Sequence, residues 1–181
     1  MRKFVSWSVR GFLFGALFVS LAWVSVSATP RQAASSMVPS FSAVSLDGQS
    51  IGSARLAGST YIVNFFASWC PPCRAEIPDM VALQAKYGRR GFTFVGVAVN
   101  ESESNSRDFI SRNKIGYPVV IADAKLMSAF GRYVDGGIQA IPTSFVVDSS
   151  GRIIRVLVGA QSKEVFEKVI LDALGRKSKK I

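Results

Sequence analysis

Tyr61-Ile-Val-Asn-Phe-Phe-Ala-Ser-Trp-Cys-Pro-Pro-Cys-Arg-Ala-Glu-Ile-Pro78 is the stretch that decides the fold. Its opening, Tyr61 to Ala67, is aromatic and β-branched with Asn64 as the one polar residue, and it reads as a buried strand. Two cysteines three positions apart come next, Cys70 and Cys73. Beyond them Ile77, Met80, Val81, Leu83 and Ala85 supply the apolar faces of a helix expected from about Cys70 to about Tyr87, with Gly91 ending it. Cys70 is thereby placed at a helix N-terminus, where free N–H groups and the helix dipole favour a thiolate. Pro71 and Pro72 suit the first turn, where a missing N–H costs little, and they stiffen the link between the sulfurs. Pro78 lies inside the helix and is expected to kink it.

On either side of this stretch the chain alternates strands with helices. Phe41, Val44 and Leu46 precede a turn at Asp47-Gly48, and Ile51 comes after it, which predicts a short hairpin. Phe92 to Val99 reads as a second strong strand, and the polar run Asn100 to Ser106 leads into a helix through Phe109 and Ile110. Pro118 to Ala122 is a third strand, and Leu126 to Tyr133 a short helix. Thr143 to Asp148 and Arg152 to Val158 flank the turn Ser149-Ser150-Gly151 as a hairpin, and Lys163 to Leu174 closes the chain as a helix. The expected class is α/β, with a mixed sheet.

The ends differ from the body. Residues 1–28 begin with Arg2, Lys3 and Arg10, continue through an uncharged apolar run, Gly11 to Trp23, and reach the small-residue site Val26-Ser27-Ala28. This layout reads equally as a cleaved signal peptide or as an uncleaved anchor touching the membrane through residues 11–28. Either reading exports the rest of the chain, because the positive charges stay inside. Residues 29–38 read as a Ser/Ala/Pro linker, 39–175 as the globular domain and 176–181 as a basic, solvated tail. The net charge is +10, yet seven of the 22 basic residues lie at the two ends, leaving 15 against 12 acidic ones in the body. Such a mild excess gives no support to a nucleic-acid partner.

The chemistry rests on the two cysteines, since the chain has no others. A disulfide closing so short a loop stabilises little, so the pair is there for reactivity. Thiols in a Cys-x-x-Cys at a helix start are more acidic than free cysteine, and the thiolate is the attacking species in disulfide exchange. Cys70 is expected to attack and Cys73, one turn deeper, to resolve the mixed disulfide. The chain contains no histidine, which removes the commonest general base and metal ligand. Glu76, three residues after Cys73, shares its side of the helix and would take the proton if buried; taken by itself, it fits an exposed helix residue as well. A zinc site would need two more ligands of a kind the chain lacks, whereas a thiolate pair can take copper(I).

These motifs resemble the TlpA/ResA-like branch of the thioredoxin superfamily. The resemblance runs from about Val38 to Leu174 through Val38-Pro-Ser-Phe41, Leu46-Asp-Gly48, Ile62 to Cys70, Pro71 to Pro78, and Ile141-Pro-Thr-Ser-Phe-Val-Val-Asp148. It implies a thioredoxin fold with an N-terminal hairpin and a central insertion at residues 100–122. It also implies a cis Pro142 facing the cysteines, although by itself Pro142 could be an ordinary trans proline. The backbone at Ile141 would pair with a substrate strand, and Trp69 matches the tryptophan beside the active cysteine. Trp69, Pro71, Pro72, Ile141 and Pro142 are thus the expected client-binding residues. Classical thioredoxin carries a buried Asp where this chain has Asn64, and Glu76 matches the buried Glu of this branch. Thr143 after Pro142, and Gln139-Ala140 before Ile141, depart from the cytochrome-maturation subgroup.

The function this predicts is an envelope thiol–disulfide oxidoreductase, in the bacterial periplasm, that reduces disulfides of exported proteins. Cytochrome c maturation or copper-site assembly are candidate roles. No cofactor is expected beyond the redox-active Cys70–Cys73 disulfide, and no metal. The resemblance implies electrons from a membrane thiol transporter, and a monomer is expected. Two alternatives stand beside this reading: a non-catalytic copper(I)-binding module, and a disulfide-forming oxidant. The latter usually carries a long helical insertion, which residues 100–122 are too short to hold.

Overall fold

The computed structural model describes residues 36–176. The signal or anchor reading of residues 1–28 lies outside them, as do most of the linker and all but the first residue of the basic tail. Strand β4 (Thr60–Phe66) is buried at every position. It pairs in parallel with β5 (Phe92–Ala98) and antiparallel with β7 (Thr143–Val147). A strand covered on both faces needs a continuous apolar run rather than alternation, which is how Tyr61 to Ala67 reads. The parallel pairing requires a crossover, and helix α1 (Pro71–Tyr87) provides it.

The sheet has six strands in the order β1-β8-β7-β4-β5-β6, with β1 at Ser36–Met37, β6 at Val119–Ile121 and β8 at Arg152–Val158. The N-terminal hairpin, β2 (Ser42–Val44) and β3 (Ser50–Gly52), forms a separate two-stranded sheet. Its turn uses Gly48 at φ 85°, a conformation glycine adopts without steric cost. The N–H of Leu46 bonds the carbonyl of Val119 at 2.7 Å and ties the hairpin to the sheet edge.

Side-chain alternation along β4 divides the core in two. Phe65 faces helix α3 (Ala124–Gly131), where its ring stacks edge-on with Phe130 at 5.4 Å and with Phe145 at 5.7 Å. Phe41 of the segment before β2 joins this cluster through Phe130 at 5.5 Å. Asn64 and Phe66 face the other way, toward α1 and helix α2 (Glu103–Asn113). Helix α4 (Lys163–Gly175) covers the same face, with Phe166 against Phe94 at 5.8 Å.

Three helices begin at caps with a side-chain oxygen, each accepting a backbone N–H: Ser102 from Asn105, Asp123 from Leu126, and Ser162 from Val165. Such caps contribute about 1 kcal/mol each. The capping of α2 explains one difference from the sequence reading. The polar run 100–106 is mostly the entry and first turn of the helix, because exposed Glu103 and Ser104 suit a helix N-terminus. Helix α3 starts at Ala124, two residues ahead of expectation, because Asp123 caps it. Strand β1 falls inside the stretch read as linker. It pairs with β8 through two backbone registers, Ser36 with Ile153 and Met37 with Arg152, and so needs no apolar pattern.

Phe130 is fully buried and touches three other rings, on the sheet face opposite α1. Phe130→Ala is expected to cost about 3–5 kcal/mol in denaturant unfolding. Disulfide exchange per folded molecule should be unchanged.

Candidate active site

The sequence around Cys70 dictates its position. Strand β4 ends at Phe66, three residues make the loop, and the prolines at 71 and 72 open the helix, so Cys70 becomes the N-cap. Its backbone is extended (φ −85°, ψ 111°), and its sulfur accepts the N–H of Cys73 at 3.4 Å. Because Pro71 and Pro72 have no N–H, Cys73 supplies the first amide in the helix that can point at that sulfur. The two cysteines form a disulfide, with Cys70 4% exposed and Cys73 fully buried. Cys70 is therefore the sulfur a partner can reach.

The residues expected to bind a client gather at the same end of the sheet. The Ile141–Pro142 peptide bond is cis, and the carbonyl of Ile141 lies 3.8 Å from the Cys70 sulfur. The carbonyl of Pro142 accepts the N–H of Gly159 at 2.8 Å, which holds this loop against the end of β8. Pro71 and Pro72 are exposed, and Trp69 keeps 57% of its surface open to solvent. The Trp69 indole N–H donates to the carbonyl of Asn100 at 3.3 Å. An open groove of about 720 Å³ runs beside Pro71 between α1 and α2, lined among others by Ser68, Arg74, Phe109 and Arg112.

Glu76 is 3% exposed, on the buried face of α1 with Cys73 and Ile77. This decides between the two readings left open by the sequence: the residue is not solvated. One carboxylate oxygen accepts the side-chain N–H of Asn64 at 2.8 Å, and the other accepts the backbone N–H of Gln161 at 3.2 Å. Burial pushes its pKa up to about 7, against the opposing pull of those two hydrogen bonds. A carboxyl group in this state can take and return a proton near neutral pH.

Asn64 does more than replace a titratable residue. Its amide nitrogen donates to Glu76 and, at 2.9 Å, to the hydroxyl of Ser144 on β7, so both of its N–H donors are used in orienting the carboxylate. Among the described residues, the Asn64 carbonyl oxygen and the Tyr117 hydroxyl are the buried side-chain atoms without a hydrogen-bond partner. Tyr117 packs its ring on Phe94, and burial with the nearby charge of Glu76 raises its pKa. Sequence reasoning did not find Ser144, Gln161 or Tyr117. Among the described residues no group of three or more Cys, Asp or Glu side chains is placed to hold a metal ion.

Comparison with known proteins places the chain in a family. The redoxin family profile matches residues 32–174. The thiol-disulfide oxidoreductase ResA of Bacillus anthracis is 31% identical over 129 residues, covering 71% of this chain and 72% of the relative. The thioredoxin-like protein YneN of Bacillus subtilis is 33% identical over 140 residues, covering 74% and 77%. Among solved structures, a thiol:disulfide interchange protein of the thioredoxin family from Chlorobium tepidum superposes with a TM-score of 0.75 at 52% identity, covering 78% of this chain and 97% of that one. StoA from Bacillus subtilis superposes with a TM-score of 0.61 at 26% identity, covering 74% and 98%. The chain belongs to the redoxin family, as a thiol–disulfide oxidoreductase of the ResA type.

Proposed function

We propose that this protein reduces disulfides of exported client proteins, with Cys70 as the attacking thiol, Cys73 as the resolving thiol and Glu76 as the proton acceptor. The observation that carries the reading is the buried Glu76, with a pKa near 7, on the same helix face as Cys73. In the reduced protein the Cys70 thiolate attacks one sulfur of the client disulfide. A Cys70–client bond forms and the client's other sulfur leaves as a thiolate, which takes up a proton. Glu76 then accepts the proton of Cys73. The Cys73 thiolate attacks Cys70, and the mixed disulfide breaks. The client gains two electrons and leaves as a dithiol, while the enzyme keeps the Cys70–Cys73 disulfide. A membrane thiol transporter returning the electrons fits the family resemblance.

Trp69, Pro71, Pro72, Ile141 and Pro142 form the rim a client chain would meet. The exposed Trp69 ring offers apolar contact, and the Ile141 carbonyl offers a backbone acceptor 3.8 Å from the reacting sulfur. The envelope location rests on the charged start and apolar run of residues 1–28. ResA-type clients such as apocytochrome c, or a copper site of an oxidase, are the substrate classes to test first.

Three outcomes check this reading. Cys73→Ser should accumulate covalent adducts with client proteins, seen as bands that vanish under reductant, whereas Cys70→Ser should capture none and lose exchange activity. Adducts on Cys70→Ser alone would reverse the roles. A reporter that works only outside the cytoplasm, fused after Ile181, should be active; activity of a cytoplasm-only reporter in its place would refute the exported location.

Glu76→Gln should slow exchange roughly tenfold or more near pH 7 and flatten its pH dependence there. The same variant has a stability signature. Because the folded pKa of Glu76 is raised from 4.5 to about 7, its burial favours the fold fully below pH 4.5, and that contribution is lost as pH rises through 7. The glutamine variant keeps the neutral form, so its stability advantage over the wild type should grow from pH 4.5 to 7 and then level off. Parallel unfolding curves at all pH values, with superimposable exchange profiles, would return Glu76 to a packing role.

A further inference from the structure

A carboxylate that the exchange steps do not use sits at the entrance of the insertion. Glu101 lies between β5 and α2, and its two oxygens hold two parts of the chain. One accepts the backbone N–H of Ser68 at 3.2 Å and the hydroxyl of Ser106 at 3.2 Å. The other accepts the hydroxyl of Ser68. Ser106 is only 1% exposed, inside α2. Next to Glu101, the carbonyl of Asn100 receives the indole N–H of Trp69, and the N–H of Val99 donates to the carbonyl of Phe66 at 2.9 Å. Asn100 adopts φ 50°, uncommon for a residue with a side chain. The loop that carries Cys70 is therefore tied at Phe66, Ser68 and Trp69 to the three consecutive residues 99–101. Among the described residues no lysine or arginine pairs with Glu101.

We propose that Glu101 is a positioning residue for the attacking thiol: it staples the Cys70 loop to the insertion helix, and its charge opposes ionisation of Cys70. The proposal rests on Cys70 being the attacking thiol. Ser68 lies two residues before Cys70, and two residues of extended chain span at most about 7 Å; with the hydrogen bond to the Ser68 N–H and the cysteine side chain added, the carboxylate lies no more than about 14 Å from the sulfur, inside the Debye length of about 30 Å at low ionic strength. A negative charge at that range acts against the N–H of Cys73 and the helix dipole, which favour the thiolate. A less stable thiolate means a less stable dithiol form, and hence a pair that gives up its electrons more readily. That is the poise a reductase needs.

The test uses the full chain, reduced, with iodoacetamide alkylation measured against pH and the modified cysteine mapped by mass spectrometry. Glu101→Gln keeps the shape and removes the charge. In about 0.01 M salt it should lower the midpoint of Cys70 alkylation by about half a pH unit. It should also move the equilibrium with glutathione about threefold toward the dithiol. Ser68→Ala, a mild change that removes one hydroxyl from the carboxylate and leaves its charge less compensated, should move the midpoint upward. These opposite signs are what a merely structural contact would not give, and Ser68→Ala keeps the proposal testable if Glu101→Gln does not fold. A Cys70 label with an unmoved midpoint in Glu101→Gln, or a midpoint in Ser68→Ala that stays or falls, overturns the role of Glu101 alone. A label found on Cys73 instead overturns the attacking-thiol reading and the proposal with it.

Discussion

Strand β4 has no solvent face, and the site inherits its geometry from that constraint. Hydrogen-bonded to β5 on one side and β7 on the other, it cannot shift without breaking both ladders. The chain leaves it at Phe66 and must turn at once into α1, whose buried face is fixed by Ile77, Met80 and Leu83. Between these two fixed elements only the four residues 67–70 are available, and the last of them, Cys70, has little choice but to cap the helix. The neighbouring strand β7 starts at Thr143, which sets the Ile141–Pro142 loop opposite the sulfur. The reactive centre is thus positioned by the middle of the sheet rather than by its own contacts.

The same strand carries the site into the interior. Asn64 sits on the face of β4 that α1 covers, so the residue that orients Glu76 comes from the sheet while Glu76 and Cys73 come from the helix. Ser144 reaches Asn64 from β7, and Gln161 reaches Glu76 from the loop before α4. The carboxyl group is thus held from two segments outside its own helix, β4 and the loop before α4, with β7 bracing Asn64. The aromatic cluster of Phe41, Phe65, Phe130 and Phe145 lies on the other face and supplies packing without touching this polar network.

Much of this is written locally in the chain. The apolar run of β4, the Cys-Pro-Pro-Cys start of α1, the β7–β8 hairpin and the closing helix are short-range patterns, and each appears where its pattern lies. What is missing from the sequence has one physical cause: it depends on contacts between distant segments. Ser144 is 80 residues from Asn64, and Glu101 is 33 from Ser68. Gln161 acts through its backbone N–H, which any residue but proline would offer. Strand β1 is held by backbone pairing alone. Glu76 was legible as a candidate from its spacing to Cys73, but its burial needed Asn64, Tyr117 and α4 to be in place.

The paired prolines of the active loop have a further consequence for how such a centre can be tuned. With no amide hydrogen at 71 or 72, the dipole aimed at the Cys70 sulfur belongs to Cys73, its own redox partner. The two positions act as a silenced pair of contacts. Restoring an amide at 72 would add a donor at the second helical position, where N-caps commonly draw one. Selection, or a designer, can therefore set how strongly this protein holds its electrons by choosing which backbone hydrogens exist between the cysteines, leaving every side chain of the interior as it is.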